Sequence, residues 1–222
     1  LATTLDPQGR LVFADWMNHV VGRLETNGTV TVIAGNGVRG FSGDGGNARA
    51  ASFDQPRGVA YDRAGNLYIA DGRNQRIRRV TPDGIVRTVA GNGVNASTGD
   101  NGPGTAASVS PWLLATDPAG NLYIADYNNS RLRKLDTNGI MTTVGGNGKN
   151  TYSGDGRPAA ESSFVPFAIV VDSAGRIVVS DVINFRIYRI GTDGIITTIA
   201  GNGDRGFSGD GGPAAAATFD GP

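Results

Sequence analysis

A seven-residue segment recurs four times along this chain. It reads Gly-Asn-Leu-Tyr-Ile-Ala-Asp at 65–71 and again at 120–126, Gly-Arg-Ile-Val-Val-Ser-Asp at 175–181, and Gly-Arg-Leu-Val-Phe-Ala-Asp at 9–15. The closing aspartates, Asp15, Asp71, Asp126 and Asp181, are spaced by 56, 55 and 55 residues. Self-similarity at such a period marks a repeat architecture, in which each unit buries its apolar face only by stacking on a neighbour.

Within one unit the pattern is that of strands and tight turns. A first apolar run (Leu1 to Leu5, Arg57 to Tyr61, Trp112 to Thr116, Phe167 to Val171) leads to Asp-x-x-Gly at Asp6, Asp62, Asp117 and Asp172, a hairpin signal. The recurring aliphatic and aromatic run is a second strand. A polar break with a fixed asparagine follows (Asn18, Asn74, Asn129, Asn184). The third strand alternates apolar and charged residues, as in Arg76-Ile-Arg-Arg-Val80, which predicts a half-exposed strand. Asn27-Gly28, Asp83-Gly84, Asn138-Gly139 and Asp193-Gly194 then turn the chain into a fourth strand. A long glycine-rich return closes the unit, and its Ala48 to Phe53 stretch is long enough for one helical turn at most. Four antiparallel strands joined by short hairpins make a propeller blade. The expected fold is therefore an all-β propeller in a single domain, with blades at 1–56, 57–111, 112–166 and 167–222.

The segments Pro-x-Gly-Val-Ala-x-Asp (56–62), Gly-Asn-Leu-Tyr-Ile-Ala-Asp (65–71), Asn74-Gln-Arg-Ile-Arg78 and Ile195-Ile-Thr-Thr-Ile-Ala-Gly-Asn-Gly203 resemble the NHL-repeat family of β-propellers. The likeness covers the whole chain, and the Ser-Gly-Asp-Gly-Gly return is similar to that of bacterial members. It implies a binding scaffold from a larger bacterial protein that works outside the cytoplasm. Family propellers usually have six blades, and this chain encodes four. A blade at an open end exposes an apolar face. Two chains meeting head to tail would close a homodimeric ring of eight; four blades closing alone, and a fragment of a six-bladed parent, are the alternatives.

Composition narrows the chemistry. Twenty basic residues balance twenty acidic ones, so no global field steers the chain to nucleic acid or an anionic membrane. No apolar run approaches membrane-spanning length. Cysteine is absent and His19 is the sole histidine, so neither a thiolate nor a three-histidine zinc site is available. The family resemblance brings peptidyl-hydroxyglycine lyases and metal-dependent lactonases into view, but Glu25 and Glu161 are expected in an outer hairpin and a return loop. No cofactor is called for, and a metal-dependent lyase or hydrolase is the second reading. A third is RNA binding through blade two, where Arg57, Arg63, Arg73, Arg76, Arg78, Arg79 and Arg87 concentrate.

The repeated aspartates read as structural. Asp71, Asp126 and Asp181 stand five residues before Arg76, Arg131 and Arg186, and are expected to pair with those arginines or cap loop amides. Asp44, Asp100, Asp155 and Asp210 sit in Ser/Thr-Gly-Asp loops and read as Asx turns. What varies between copies marks the binding face. The positions after each proline (Leu1, Arg57, Trp112, Phe167) and the loops after the strand-ending aspartates share one end of the blades. Those loops carry Trp16 and His19, Arg73 and Gln75, Tyr127 and Ser130, and Phe185. Aromatic side chains and arginine on a rigid, loop-built face are typical anchors for a partner protein or small ligand.

Overall fold

The computed structural model describes residues 2–222; Leu1 lies outside them. The strands follow the repeat. Blade one comprises β1 (Thr3–Leu5), β2 (Leu11–Asp15), β3 (Val20–Leu24) and β4 (Val30–Ala34), and blade two comprises β5 (Pro56–Tyr61), β6 (Leu67–Asp71), β7 (Arg76–Val80) and β8 (Val86–Ala90). A two-residue strand, β9 (Gly102–Pro103), precedes blade three, which holds β10 (Pro111–Thr116), β11 (Leu122–Asp126), β12 (Arg131–Leu135) and β13 (Ile140–Gly145). Blade four holds β14 (Ile169–Val171), β15 (Ile177–Asp181), β16 (Arg186–Ile190) and β17 (Ile196–Ala200). Each sheet is antiparallel with the four strands of its blade in chain order, and β9 adds at the outer edge of the third. The Ala-rich stretches form single 3₁₀ turns, such as Ala48–Ala50.

Each of the first three returns crosses to the following blade and covers its outer strand. Asn47 bridges to Ile85, β9 adds to β13, and Pro158 bridges to Ile195. Edge backbone that would otherwise invite intermolecular pairing is thereby occupied. Apolar cores lie between successive blades. Val12, Ala14 and Val21 of blade one meet Val59, Leu67 and Ile69 of blade two over Phe53 of the return. Tyr68, Ala70 and Ile77 meet Leu122 and Ile124, and Tyr123, Ala125 and Leu132 meet Ile177, Val179 and Tyr188 over Phe164. Among the described residues no such core joins blade four back to blade one.

Both faces of an inner blade are thus buried, and this corrects the half-exposed reading of the third strand. Arg78 and Arg133 are fully buried. Each is held by the return of the blade before it: Arg78 donates to Ser42 O and Asp44 Oδ1, each at 2.9 Å, and Arg133 to Thr98 O at 3.1 Å and Asp100 Oδ1 at 2.9 Å. The Ser/Thr-Gly-Asp loops are therefore not merely turns. In blades two and three they form one half of an inter-blade lock, and in blade four Asp155 accepts from Tyr152 and Thr198 hydroxyls instead.

The strand-ending aspartates also pair differently from expectation. Asp71 faces Arg76 across the ladder, yet its ion pair is with Arg78 at 3.5 Å, and Asp126 pairs with Arg133 at 3.4 Å. Arg76 reaches outward, donating to Asn74 O at 2.9 Å and lying 4.2 Å over the Phe41 ring. The capping expectation holds: Asp71 accepts from the Asp54 amide at 2.8 Å, Asp126 from Ser110 at 2.7 Å and Asp181 from Val165 at 2.9 Å. Burial pushes Asp71 up to about 6 and raises Asp126 as well, against the opposing pull of these donors.

Candidate functional site

The inner strands β1, β5 and β10 and the segment before β14 bring Ala2, Arg57, Trp112 and Phe167 to one end of the central channel. There they line a cavity of about 310 Å³ with Ala14, Trp16, Pro56 and Leu113. Trp112, Tyr127 and Phe167 form an aromatic triangle with centroids 5.1, 5.7 and 5.9 Å apart. Pairs at these tilted geometries are mutually attractive beyond their buried area. The Arg57 guanidinium lies 3.8 Å from the Trp112 ring centroid, a cation–π contact.

Arg57 is half-buried and, among the described residues, has no carboxylate within ion-pair distance. Burial first, and the neighbouring Arg73 cation second, hold it below the usual arginine range. Asp54 offsets these only from a distance, and a desolvated cation with no carboxylate in contact favours an incoming anion. The cavity thus combines flat apolar walls with one positive group.

Five of the ten candidate residues meet here: Trp16, Arg57, Trp112, Tyr127 and Phe167. Arg73 stands beside them as an exposed second charge. The other four do different work. His19, Gln75, Ser130 and Phe185 are equivalent positions with φ of 58°, 49°, 49° and 51°, the left-handed residue that turns each loop into its third strand. Their carbonyls sit under Gly35, Gly91, Gly146 and Gly201, where a Cβ would collide with them. His19 Nδ1 accepts the Gln55 amide at 3.2 Å, so its ring points into the joint between blades one and two. The variation at these four positions reflects a constraint on the backbone rather than on the side chain. Among the described residues no three of His, Cys, Asp and Glu converge on a point that would hold a metal.

A larger groove of about 620 Å³ opens at the hairpin end, between blades two and three. Its two carboxylates at the hairpins are engaged in their own turns: Asp62 accepts from Asn66, and Asp117 from Asn121, while Arg79 Nε and Thr88 Oγ1 in its wall are buried without a hydrogen-bond partner among the described residues.

The chain matches the model of the Teneurin NHL domain over residues 17–99 and that of the NHL repeat over 109–135. It belongs to the NHL-repeat β-propeller family. Teneurin-1 of Mus musculus is 32% identical over 227 residues, covering 86% of this chain, while this chain spans 8% of that protein. A solved structure from Bacteroides thetaiotaomicron superposes with a TM-score of 0.68 at 26% identity, covering 85% of this chain and 46% of the other. Virginiamycin B lyase from Staphylococcus aureus superposes with a TM-score of 0.55 at 18% identity, over 88% and 53%; it shares the fold. The likeness thus runs to an animal protein as well as to bacterial ones, and the bacterial origin drawn from the return loop gains no separate support.

Proposed function

We propose that this chain is a non-catalytic binding module that takes a partner's side chain or a small ligand at the channel mouth bounded by Trp16, Arg57, Trp112 and Phe167. The ligand has a flat apolar body and a carboxylate. One observation carries this: a half-buried arginine, stacked on a tryptophan, with no carboxylate within ion-pair distance among the described residues. Blade two's other buried arginine, Arg78, is consumed by an inter-blade lock, which removes it from any nucleic-acid surface.

Both tryptophans of the chain border the cavity, so their fluorescence reports its occupancy. Titration with 3-phenylpropionate is expected to give a saturable change, and titration with phenethylamine none. Arg57→Met should abolish the response while the melting temperature holds. Trp112→Ala and Tyr127→Ala should lose it as well. Equal responses to the acid and the amine, or a response that survives in Arg57→Met, would refute the reading.

A further inference from the structure

The fourth return repeats the first almost residue for residue. Both read Arg-Gly-Phe-Ser-Gly-Asp-Gly-Gly, at 39–46 and 205–212. They also share a fold. Arg39 bridges in parallel to Phe53, and Arg205 to Phe219. The Gly40 amide donates to Phe53 O at 3.2 Å, and the Gly206 amide to Phe219 O at 3.0 Å. Arg39 pairs with Asp54 at 2.9 Å, and Arg205 with Asp220 at 2.7 Å. The fourth loop is therefore already in the conformation that the first adopts on blade two.

Its contacts are what differ. Phe41 lies beneath the guanidinium groups of Arg76 and Arg78, at 4.2 and 4.8 Å, and Asp44 accepts from Arg78. Asn74 donates to Gly40 O at 2.8 Å. The corresponding Phe207 is 89% exposed against 44% for Phe41, and Asp210 has no ion-pair partner among the described residues. Around it, Ile187 and Ala200 are partly exposed where Ile77 and Ala90 are buried. An aromatic and a carboxylate preset for two arginines face open space.

Blade one of this chain lacks the complement. Where blades two and three carry Arg-x-Arg, it has Val20 and Gly22. The place of the second arginine is filled: a Cβ on Gly22 would come within 2.6 Å of Phe13 Cζ, and Phe13 stands where blade two has Ile69. Blade one retains only the asparagine half, with Asn18 donating to Asp15 at 2.8 Å. Closure of this chain on itself and head-to-tail pairing of two copies would both set Phe207 and Asp210 against the Phe13 ring, where Val20 and Gly22 stand in place of the two arginines.

We propose that the fourth return is a docking surface for a further blade of the same repeat whose turn and third strand read Asp-x-x-Asn-x-Arg-x-Arg, and that this chain's own first blade is not its partner.

The test extends the full chain after Pro222 with a second copy of residues 57–111, and in a parallel protein with a second copy of residues 1–56. Hydrogen exchange of 205–220 is then followed by mass spectrometry. The blade-two extension should slow exchange there by about tenfold or more, since docking raises the cost of local opening. The blade-one extension, and the blade-two extension with both arginines of the added copy changed to alanine, should leave it as in the native chain. Equal protection by all three extensions overturns the proposal. So does a native chain that already shows protection at 205–220 together with a doubled mass, because a second copy would then be the occupant. Should an added blade fail to fold, the triple variant Phe13→Ile, Val20→Arg, Gly22→Arg decides the matter. It builds the missing receptor on blade one and should protect 205–220, by ring closure or head-to-tail pairing. No change from the native chain in that variant would also overturn the proposal.

Discussion

The lock around Arg78 makes a quantitative test of how the blades are held together. Arg78 and Asp71 are both fully buried, and Arg78 also serves Ser42 and Asp44 of the preceding return. Arg78→Met keeps the apolar stem and removes the guanidinium. Asp71 keeps its bonds from the Asp54 amide and Asn74 but loses its one ion-pair partner among the described residues. Breaking a buried pair from one side costs about 3–5 kcal/mol. In a domain of this size that corresponds to a fall in Tm of about 10 °C. Asp44→Asn, by contrast, touches a pair whose acid is 41% exposed, and its cost is about 1 kcal/mol or less.

The pH dependence gives the sharper check. Burial already pushes Asp71 up to about 6, above its value in the unfolded chain. The folded state then binds the proton more tightly, so stability falls as pH rises from the unfolded pKa through the folded one. Removing Arg78 raises the folded pKa further and widens that window upward. In urea unfolding the deficit of Arg78→Met relative to the native chain should be full near about pH 8, and smaller near about pH 4.5, where a neutral carboxyl has no charge to desolvate. There it should reduce to roughly 1–2 kcal/mol, the worth of the lost hydrogen bonds. An equal deficit at both pH values, or one under about 1 kcal/mol at the higher, would refute the account of Asp71 as a charge held by Arg78.

Two further outcomes follow from packing. Gly91 has φ of 87° and a Cβ there would strike the Gln75 carbonyl, whereas Gly84 has φ of 84° with open space around it; Gly84→Ala should cost about 1–2 kcal/mol of backbone strain and Gly91→Ala clearly more, in the same urea assay. Phe164 is fully buried between blades three and four, with its ring centroid 5.6 Å from that of Tyr188, so Phe164→Ala should lower stability by about 3–5 kcal/mol; a loss under about 1 kcal/mol would mean that this core collapses around the gap.

The hairpins were legible because their chemistry is local. Asp62 turning back on Asn66 needs no knowledge of the rest of the chain. The aromatic mouth was legible in part, since equivalent positions after each proline must converge on the channel. The four left-handed residues were not, because His19, Gln75, Ser130 and Phe185 share a backbone angle and no side-chain chemistry. Arg78 was misread for a different reason. Alternation shows which residues share a face and is silent on whether that face meets water or another blade. A usable signal was present in the coupled exchange of Ile69 and Arg78 for Phe13 and Gly22, large with small in place of small with large.

The locks bind each of the first three returns to the blade after it, which makes the joints between units interchangeable in some places and private in others. Blades two and three offer matching receptors, Asp71, Asn74, Arg76 and Arg78 in one and Asp126, Asn129, Arg131 and Arg133 in the other. Excising 57–111 would set the first return on a blade with the same two arginines. Excising 112–166 would set the second return on blade four, where Tyr188 replaces the buried arginine and Asp100 would lose its partner. An array built this way can gain or lose a unit by recombination at one joint and not at the next, so its length is free to drift only on one side of blade three.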